Sequence, residues 1–240
     1  MFSRIIILMG FVYSLSGCLY QIHATSTSIP LGNKVVKVVR EDYGPGKVFV
    51  HVHANETTAL KAARKVARIQ GGQVITLVHE KNRDIEFDYH GRHYAFDPNR
   101  IYTHQGVVRT LKQHHCYHPQ VVPLIENFGK KVLASIPKGK VIAVHNNQEY
   151  SLLDYLPHHE LASDAKNLYY RPKIYYRNFF LVTRADDFNF YRSMGFNVVQ
   201  QANGAFDDGS LSIALKRHQY INVEAGFDQL HHQVQMLKRA

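Results

Sequence analysis

His53-Ala54-Asn55-Glu56 follows the apolar run Val48-Phe49-Val50-His51-Val52 and sets an imidazole and a carboxylate three residues apart. Where a strand turns into a helix, that spacing lets both side chains reach one divalent cation. Zinc takes nitrogen and oxygen donors at about 2.0–2.2 Å, and a catalytic zinc site uses three protein ligands plus a water. Two of those ligands are therefore expected within four residues. The pattern H-x-x-E is short and recurs by chance. Its meaning rests on a third ligand, a base and an anion clamp elsewhere in the chain.

The elements that must position such a set can be read from periodicity. Residues 35–39, 48–53, 74–78, 85–89, 141–145, 179–183, 196–200, 211–215 and 220–224 are short apolar or alternating runs and read as strands. Residues 57–70 carry Leu60, Ala63, Val66, Ala67 and Ile69 at helical spacing, closed by Gly71-Gly72. Residues 121–136 read as a second helix, with Pro123 in its first turn and Pro137 just past its end. Residues 186–194, ended by Gly195, and residues 227–238 are two more. Strands interleaved with helices imply an α/β fold. We expect a single domain over residues 34–240, with a mixed, mostly parallel central sheet flanked by helices. Ligands of such sheets sit beyond the carboxyl ends of the strands, and His53, His145 and Glu224 each end a predicted strand.

His53-Ala54-Asn55-Glu56, Asp97-Pro98-Asn99-Arg100, His145 and Glu224-Ala225-Gly226 occur in that order. Together they resemble the zinc carboxypeptidase clan, and within it the succinylglutamate desuccinylase and aspartoacylase branch. The resemblance covers roughly residues 47–226 and implies a carboxypeptidase-like fold. It makes His53, Glu56 and His145 the ligands of Zn2+ and Glu224 the general base. Two imidazoles and one carboxylate leave the ion a net positive charge and an open position. Asn99 and Arg100 match the pair that holds the substrate's free carboxylate, a role for which the planar guanidinium fork is suited. Arg83 stands where the family places the arginine that steadies the oxyanion, and Arg92 fits nearly as well by position. The family's tyrosine is not placed, since Tyr150, Tyr155, Tyr169, Tyr170 and Tyr191 compete. Pro98 departs from the aliphatic residue of many relatives. Only residues 227–240 follow the E-x-G motif, where the aspartoacylase branch carries a further β-rich domain. A more open site is expected, which favours a peptide over a small N-acyl amino acid as the substrate with a free carboxylate.

Other groups invite chemistry less strongly. His51 shares a strand face with His53 and reads as a core histidine, with a supporting contact to the metal site as the alternative. His114-His115-Cys116-Tyr117-His118 has no partner half at ligand spacing and reads as a solvated turn. Asp207-Asp208-Gly209-Ser210 reads as a turn, with a rim contact to substrate as the alternative.

Composition sets the remaining bounds. The chain has 240 residues, 45% hydrophobic and 20% charged, enough for one domain with a substantial core. A net charge of +10 suits an anionic partner such as a wall polymer or a lipid surface. The cations are scattered and no recognition motif accompanies them, so nucleic acid is not expected. Met1-Phe2-Ser3-Arg4 and the apolar residues 5–15 have the layout of a secretory signal. Leu15-Ser16-Gly17-Cys18 resembles a bacterial lipobox. We expect residues 1–18 to direct export to the cell envelope, Cys18 to carry a lipid anchor at a membrane surface, and residues 19–33 to act as a tether. A signal cut after Ala24 is the other reading. With Cys18 acylated, Cys116 has no disulfide partner.

Overall fold

The computed structural model describes residues 22–240. The predicted leader and Cys18 lie outside the described residues. Nine strands form one mixed sheet, in the order β1 (His23–Leu31), β2 (Lys34–Asp42), β4 (Gly72–Val78), β3 (Lys47–His51), β7 (Val141–Asn147), β11 (Tyr220–Gly226), β9 (Phe179–Val182), β10 (Val198–Gln201) and β8 (Ala165–Tyr169). The central strands β4, β3, β7 and β11 run parallel, and antiparallel neighbours extend the sheet to both sides. This is the expected single α/β domain. A separate hairpin joins β5 (Ile85–Tyr89) to β6 (Arg92–Phe96).

The central strands are mostly apolar because both faces are covered, with polar residues gathered toward the carboxyl ends of β7 and β11. Val141 and Ala143 of β7 enter one core, whereas Ile142 and Val144 enter the other. Helices α1 (Thr57–Gln70), α4 (Ala185–Ser193) and α6 (Leu230–Arg239) bury one face. Helices α2 (His104–Gln113) and α3 (Val122–Ala134), with the β5–β6 hairpin, bury the other. A third apolar cluster, built on Leu152, Tyr155, Phe179, Leu181 and Val199, supports the far wall of the cavity described below.

Three differences from the sequence expectations have physical causes. Residues 23–31, expected within a tether, form β1, which pairs along β2 and buries Ile29 and Leu31. Polar Ser and Thr dominate the exposed half of that strand, which hid its pairing. Residues 211–215, expected as a strand, contain the short helix α5 (Leu211–Ala214). Its apolar run is too short for periodicity to separate the two states. The helix α2 was not anticipated, because Gly106 sits in its first turn and its apolar residues are few. Its start is nonetheless marked by Thr103, whose hydroxyl accepts from the Gly106 N–H at 3.1 Å.

Candidate metal centre and its cavity

Glu56 is the N-cap residue of α1, yet its side chain makes no capping bond. The first-turn amide of Ala59 donates instead to Asn146 Oδ1 of β7 at 2.5 Å. With that donor satisfied, the Glu56 carboxylate turns toward the sheet. Its Oε1 lies 2.9 Å from His53 Nδ1, and its Oε2 lies 3.0 Å from His145 Nδ1. The two imidazole nitrogens are 3.2 Å apart. Donors placed tetrahedrally around zinc stand about 3.3 Å from one another. The triangle found here is a few tenths of an ångström smaller, so a slight opening would admit the ion. The three side chains are buried and line a cavity of about 750 Å³. Among the described residues, this is the group of His, Cys, Asp and Glu side chains whose donor atoms converge closely enough to hold a metal. Geometry and donor chemistry both fit zinc.

Asp97 orients the first imidazole. Its Oδ1 is 2.7 Å from His53 Nε2, which leaves Nδ1 aimed at Glu56 and His145. A carboxylate behind a ligating histidine fixes its tautomer and raises its basicity. The sequence contained Asp97 within the Asn99-Arg100 motif, but nothing in the spacing showed that it reaches His53. Arg83 spans both carboxylates, with Nη1 2.9 Å from Glu56 Oε1 and Nη2 3.0 Å from Asp97 Oδ2. Arg92 lies on the β5–β6 hairpin and is not part of the cavity wall, so of the two arginines Arg83 is the one at the site.

The charges of this cluster depend on one another. Burial alone would push His53 down, but the Glu56 and Asp97 carboxylates overcome it and raise it to about 9. Burial opposes ionisation of both acids as well. His53 and His145 nevertheless hold Glu56 well down, and His53 and Arg83 do the same for Asp97. A proton on His53 thus occupies electrostatically the place a cation would take.

Supporting contacts hold the ligands from behind. Asn146 N–H donates to Glu56 Oε2 at 3.1 Å. The buried Gln233 of α6 donates to the His145 carbonyl at 2.9 Å and accepts from Asn146 Nδ2 at 2.9 Å. His51 is indeed a core histidine, and it also supports the site. Its Nε2 lies 3.1 Å from the Glu56 carbonyl oxygen, so that nitrogen carries the proton. Burial lowers its pKa to about 4.

Glu224 stands beside His145 in the β7–β11 register and is buried in the cavity wall. Asn147 Nδ2 donates to its Oε2 at 2.7 Å, and Asn222 Nδ2 donates to its Oε1 at 2.9 Å. Each oxygen keeps one lone pair, and the two carboxamides fix where those point. Neither asparagine was singled out in the sequence. Asn222 was legible only by alternation, two residues before Glu224 on the same strand face.

Asn99 and Arg100 also line the cavity. Asn99 Oδ1 accepts from the Leu211 N–H at 3.1 Å, tying the motif to the start of α5. Arg100 Nη1 lies 3.3 Å from Asp208 Oδ2. Asp207–Ser210, expected as a turn, is an irregular segment, and its Asp208 contributes a carboxylate to the cavity wall. Of the five competing tyrosines, Tyr150 and Tyr155 line the cavity and hydrogen-bond to each other through their hydroxyls, whereas Tyr169, Tyr170 and Tyr191 lie outside it. Tyr220, not weighed from sequence, lines it too. Burial pushes all three phenols upward, so they stand as neutral hydroxyls.

The histidine-rich segment 114–118 contributes nothing to this centre. His114 is 3.7 Å from Asp84, and the Cys116 thiol, without a disulfide partner among the described residues, bonds to the Ala95 backbone.

No family model matches the chain, and no curated protein matches it. Among solved structures, the fold is similar to that of a succinylglutamatedesuccinylase/aspartoacylase from Rhodobacter sphaeroides, with 14% sequence identity and a TM-score of 0.43. The likeness covers 91% of this chain and 64% of that one, so the chain spans somewhat less than two thirds of that protein's length.

Proposed function

We propose that the protein is an exported zinc-dependent hydrolase of the carboxypeptidase type, which cleaves an amide bond next to a terminal carboxylate. The observation that carries this reading is the convergence of His53, Glu56 and His145 donor atoms at 2.9–3.2 Å on the wall of a cavity that also holds Glu224 and Arg100. When bound, zinc would polarise the scissile carbonyl and make a water easier to deprotonate. Glu224 would take the proton of that water and deliver it to the leaving amine, aimed by Asn147 and Asn222. Arg100 would leave Asp208 to hold the substrate carboxylate, and Asn99 would keep the Arg100 loop against α5. Arg83, already between two acids at the site, would turn to the developing oxyanion.

A cavity of about 750 Å³ is in the upper part of the range for drug-sized ligands and suits a peptide, such as a fragment of a cell-wall polymer. The H-x-N-E and E-x-G details favour a second reading, a deacylase of N-acyl amino acids. The leader sequence supports export and a lipid anchor at Cys18. The deciding assay loads the protein with zinc and offers short peptides with free or amidated carboxyl ends beside N-acyl amino acids. Cleavage of the free-ended peptides alone supports the first reading, and cleavage of the acyl amino acids alone supports the second. Stoichiometric zinc in the wild type, lost in His145→Ala, and turnover lost in Glu224→Gln with zinc retained are expected for both. A wild-type protein that takes up no zinc overturns both. Zinc uptake with no turnover, and unchanged peptide affinity in Glu224→Gln, would leave a peptide-binding envelope protein.

A further inference from the structure

The end of the sheet opposite the metal centre gathers cations. Strands β3, β7 and β11 run parallel, so their amino ends lie together, and α6 ends there too. Lys47 begins β3, Lys138 and Lys140 precede β7, Lys216 and Arg217 precede β11, and Lys238 and Arg239 close α6. Lys47 is engaged: its ammonium donates to the Leu237 and Lys238 carbonyls at 3.0 and 2.9 Å, capping α6. Burial first, then Lys140 and Arg239, bring its pKa down to about 8, which marks these cations as neighbours. The other six form no ion pair among the described residues. Complementing a helix dipole explains Lys238 and Arg239, but not the four cations that precede strands. The acids at this end are fewer than the cations. Glu41 is paired with Arg64, and the half-buried Asp42 accepts from the Gly44 N–H at 2.8 Å. Asp187 is buried near Lys140 and against Gln219, with Oδ1 2.9 Å from its amide nitrogen, and Asp186 is exposed.

The chain also enters the domain from this end. His23 pairs with Asp42, and Asp42 and Val48 both pair with Gln73, so β1 begins level with the start of β3. Ile22, just before β1, and Ile69, in the last turn of α1, are exposed here at 45% and 59%. Apolar residues 5–15 lie a few residues upstream of Ile22 in the sequence. Exposed isoleucines at the same end of the sheet as cations without an ion pair suit a surface that is anionic outside and apolar beneath.

We propose that this end of the sheet docks on an anionic lipid bilayer, with the metal centre facing away from it. From Lys140 to His145 the strand rises about 16 Å at roughly 3.3 Å per residue, so the metal centre stands clear of the headgroups. The inference does not rest on the hydrolytic reading, since it would hold for an inactive protein.

The test uses the full chain and vesicles of phosphatidylcholine with or without phosphatidylglycerol. Phosphatidylglycerol raises partition of the wild type at least tenfold, and the gain fades with salt, as expected for cations at an anionic surface. The variant Lys138→Glu/Lys216→Glu/Arg217→Glu/Arg239→Glu loses that gain while keeping the wild-type melting temperature. A second variant, Lys112→Glu/Lys166→Glu/Lys173→Glu/Arg192→Glu, makes the same change in net charge elsewhere and keeps most of the gain. The apolar leader is common to all three proteins. The proposal is overturned if the wild type ignores phosphatidylglycerol, if the first variant behaves as wild type, or if both variants lose the gain alike. Should the first variant unfold, the single reversals Lys138→Glu and Arg217→Glu, each lowering the gain several-fold, carry the same test.

Discussion

His53 Nε2 stands 2.7 Å from Asp97 Oδ1, a residue 44 positions further along the chain. The proposed metal ligand nearest the start of the site is thus aimed by a side chain that follows another strand altogether. Removing the charge while keeping the shape tests this. Asp97→Asn is expected to weaken zinc affinity about 10–100-fold, measured by competition with a chromogenic chelator. The effect on urea unfolding of the zinc-free protein should be smaller. Unchanged affinity would show that Asp97 does not position His53.

Zinc binding should carry a pH signature. His53 in the metal-free protein is raised to about 9 from an ordinary 6.5. At pH 7 it therefore holds a proton that the ion must displace. About one proton should be released per zinc from pH 6.5 to about 8, about half a proton near pH 9, and the release should fade out above that. Calorimetry in buffers of different ionisation enthalpy reads it directly. The sign for folding follows from the same shift. The protonated contacts stabilise the metal-free fold fully below pH 6.5, and that stability is lost as pH rises through 9. Unfolding of the chelator-treated protein at pH 6.5 and 9.5 would expose the difference, with His53→Gln abolishing it.

Arg100 is paired with Asp208 at 3.3 Å, and substrate must compete for its guanidinium. Arg100→Lys keeps the charge but not the two parallel donors. KM for a peptide with a free carboxyl end should rise about tenfold or more, with kcat less affected. The amidated peptide should show little change. An equal effect on both peptides would remove Arg100 from carboxylate recognition.

Gly106 packs where no side chain fits. A Cβ there would lie 2.3 Å from Gly209 Cα and 2.6 Å from the Arg100 carbonyl oxygen, both backbone atoms. Gly106→Ala must push α2 away from the segment that carries Asp208 and from the loop that carries Arg100. We expect a loss of about 1–3 kcal/mol, together with a higher KM. Thermal unfolding and steady-state kinetics on the same preparation check both. A variant as stable and active as wild type would show that the contact is easily relaxed.

Much of this was legible from residue order. The run from Val48 to His51, the helix over Thr57–Gln70 and its Gly71-Gly72 stop are local patterns, fixed by side-chain period and by which residues tolerate positive φ. His53, Glu56, His145 and Glu224 could be named because each ends or follows an apolar run, and parallel strands bring such ends to one edge. The tether failed as an expectation because β1 is held by pairing with β2, and pairing is a non-local property that a Ser- and Thr-rich segment does not advertise. Residues 211–215 failed because an apolar run that short suits helix and strand equally.

The sequence alone determined which side chains are available and roughly where along the sheet they fall. Only the tertiary structure decided their company. It placed Asp97 behind His53, Asn147 and Asn222 on Glu224, Arg83 rather than Arg92 at the site, and Tyr150 and Tyr155 rather than three rivals in the wall. Periodicity fixes the face a residue takes. Which distant segment meets that face is set by strand order and register, because hydrogen bonds and metal coordination act over only a few ångströms and join residues far apart in the chain.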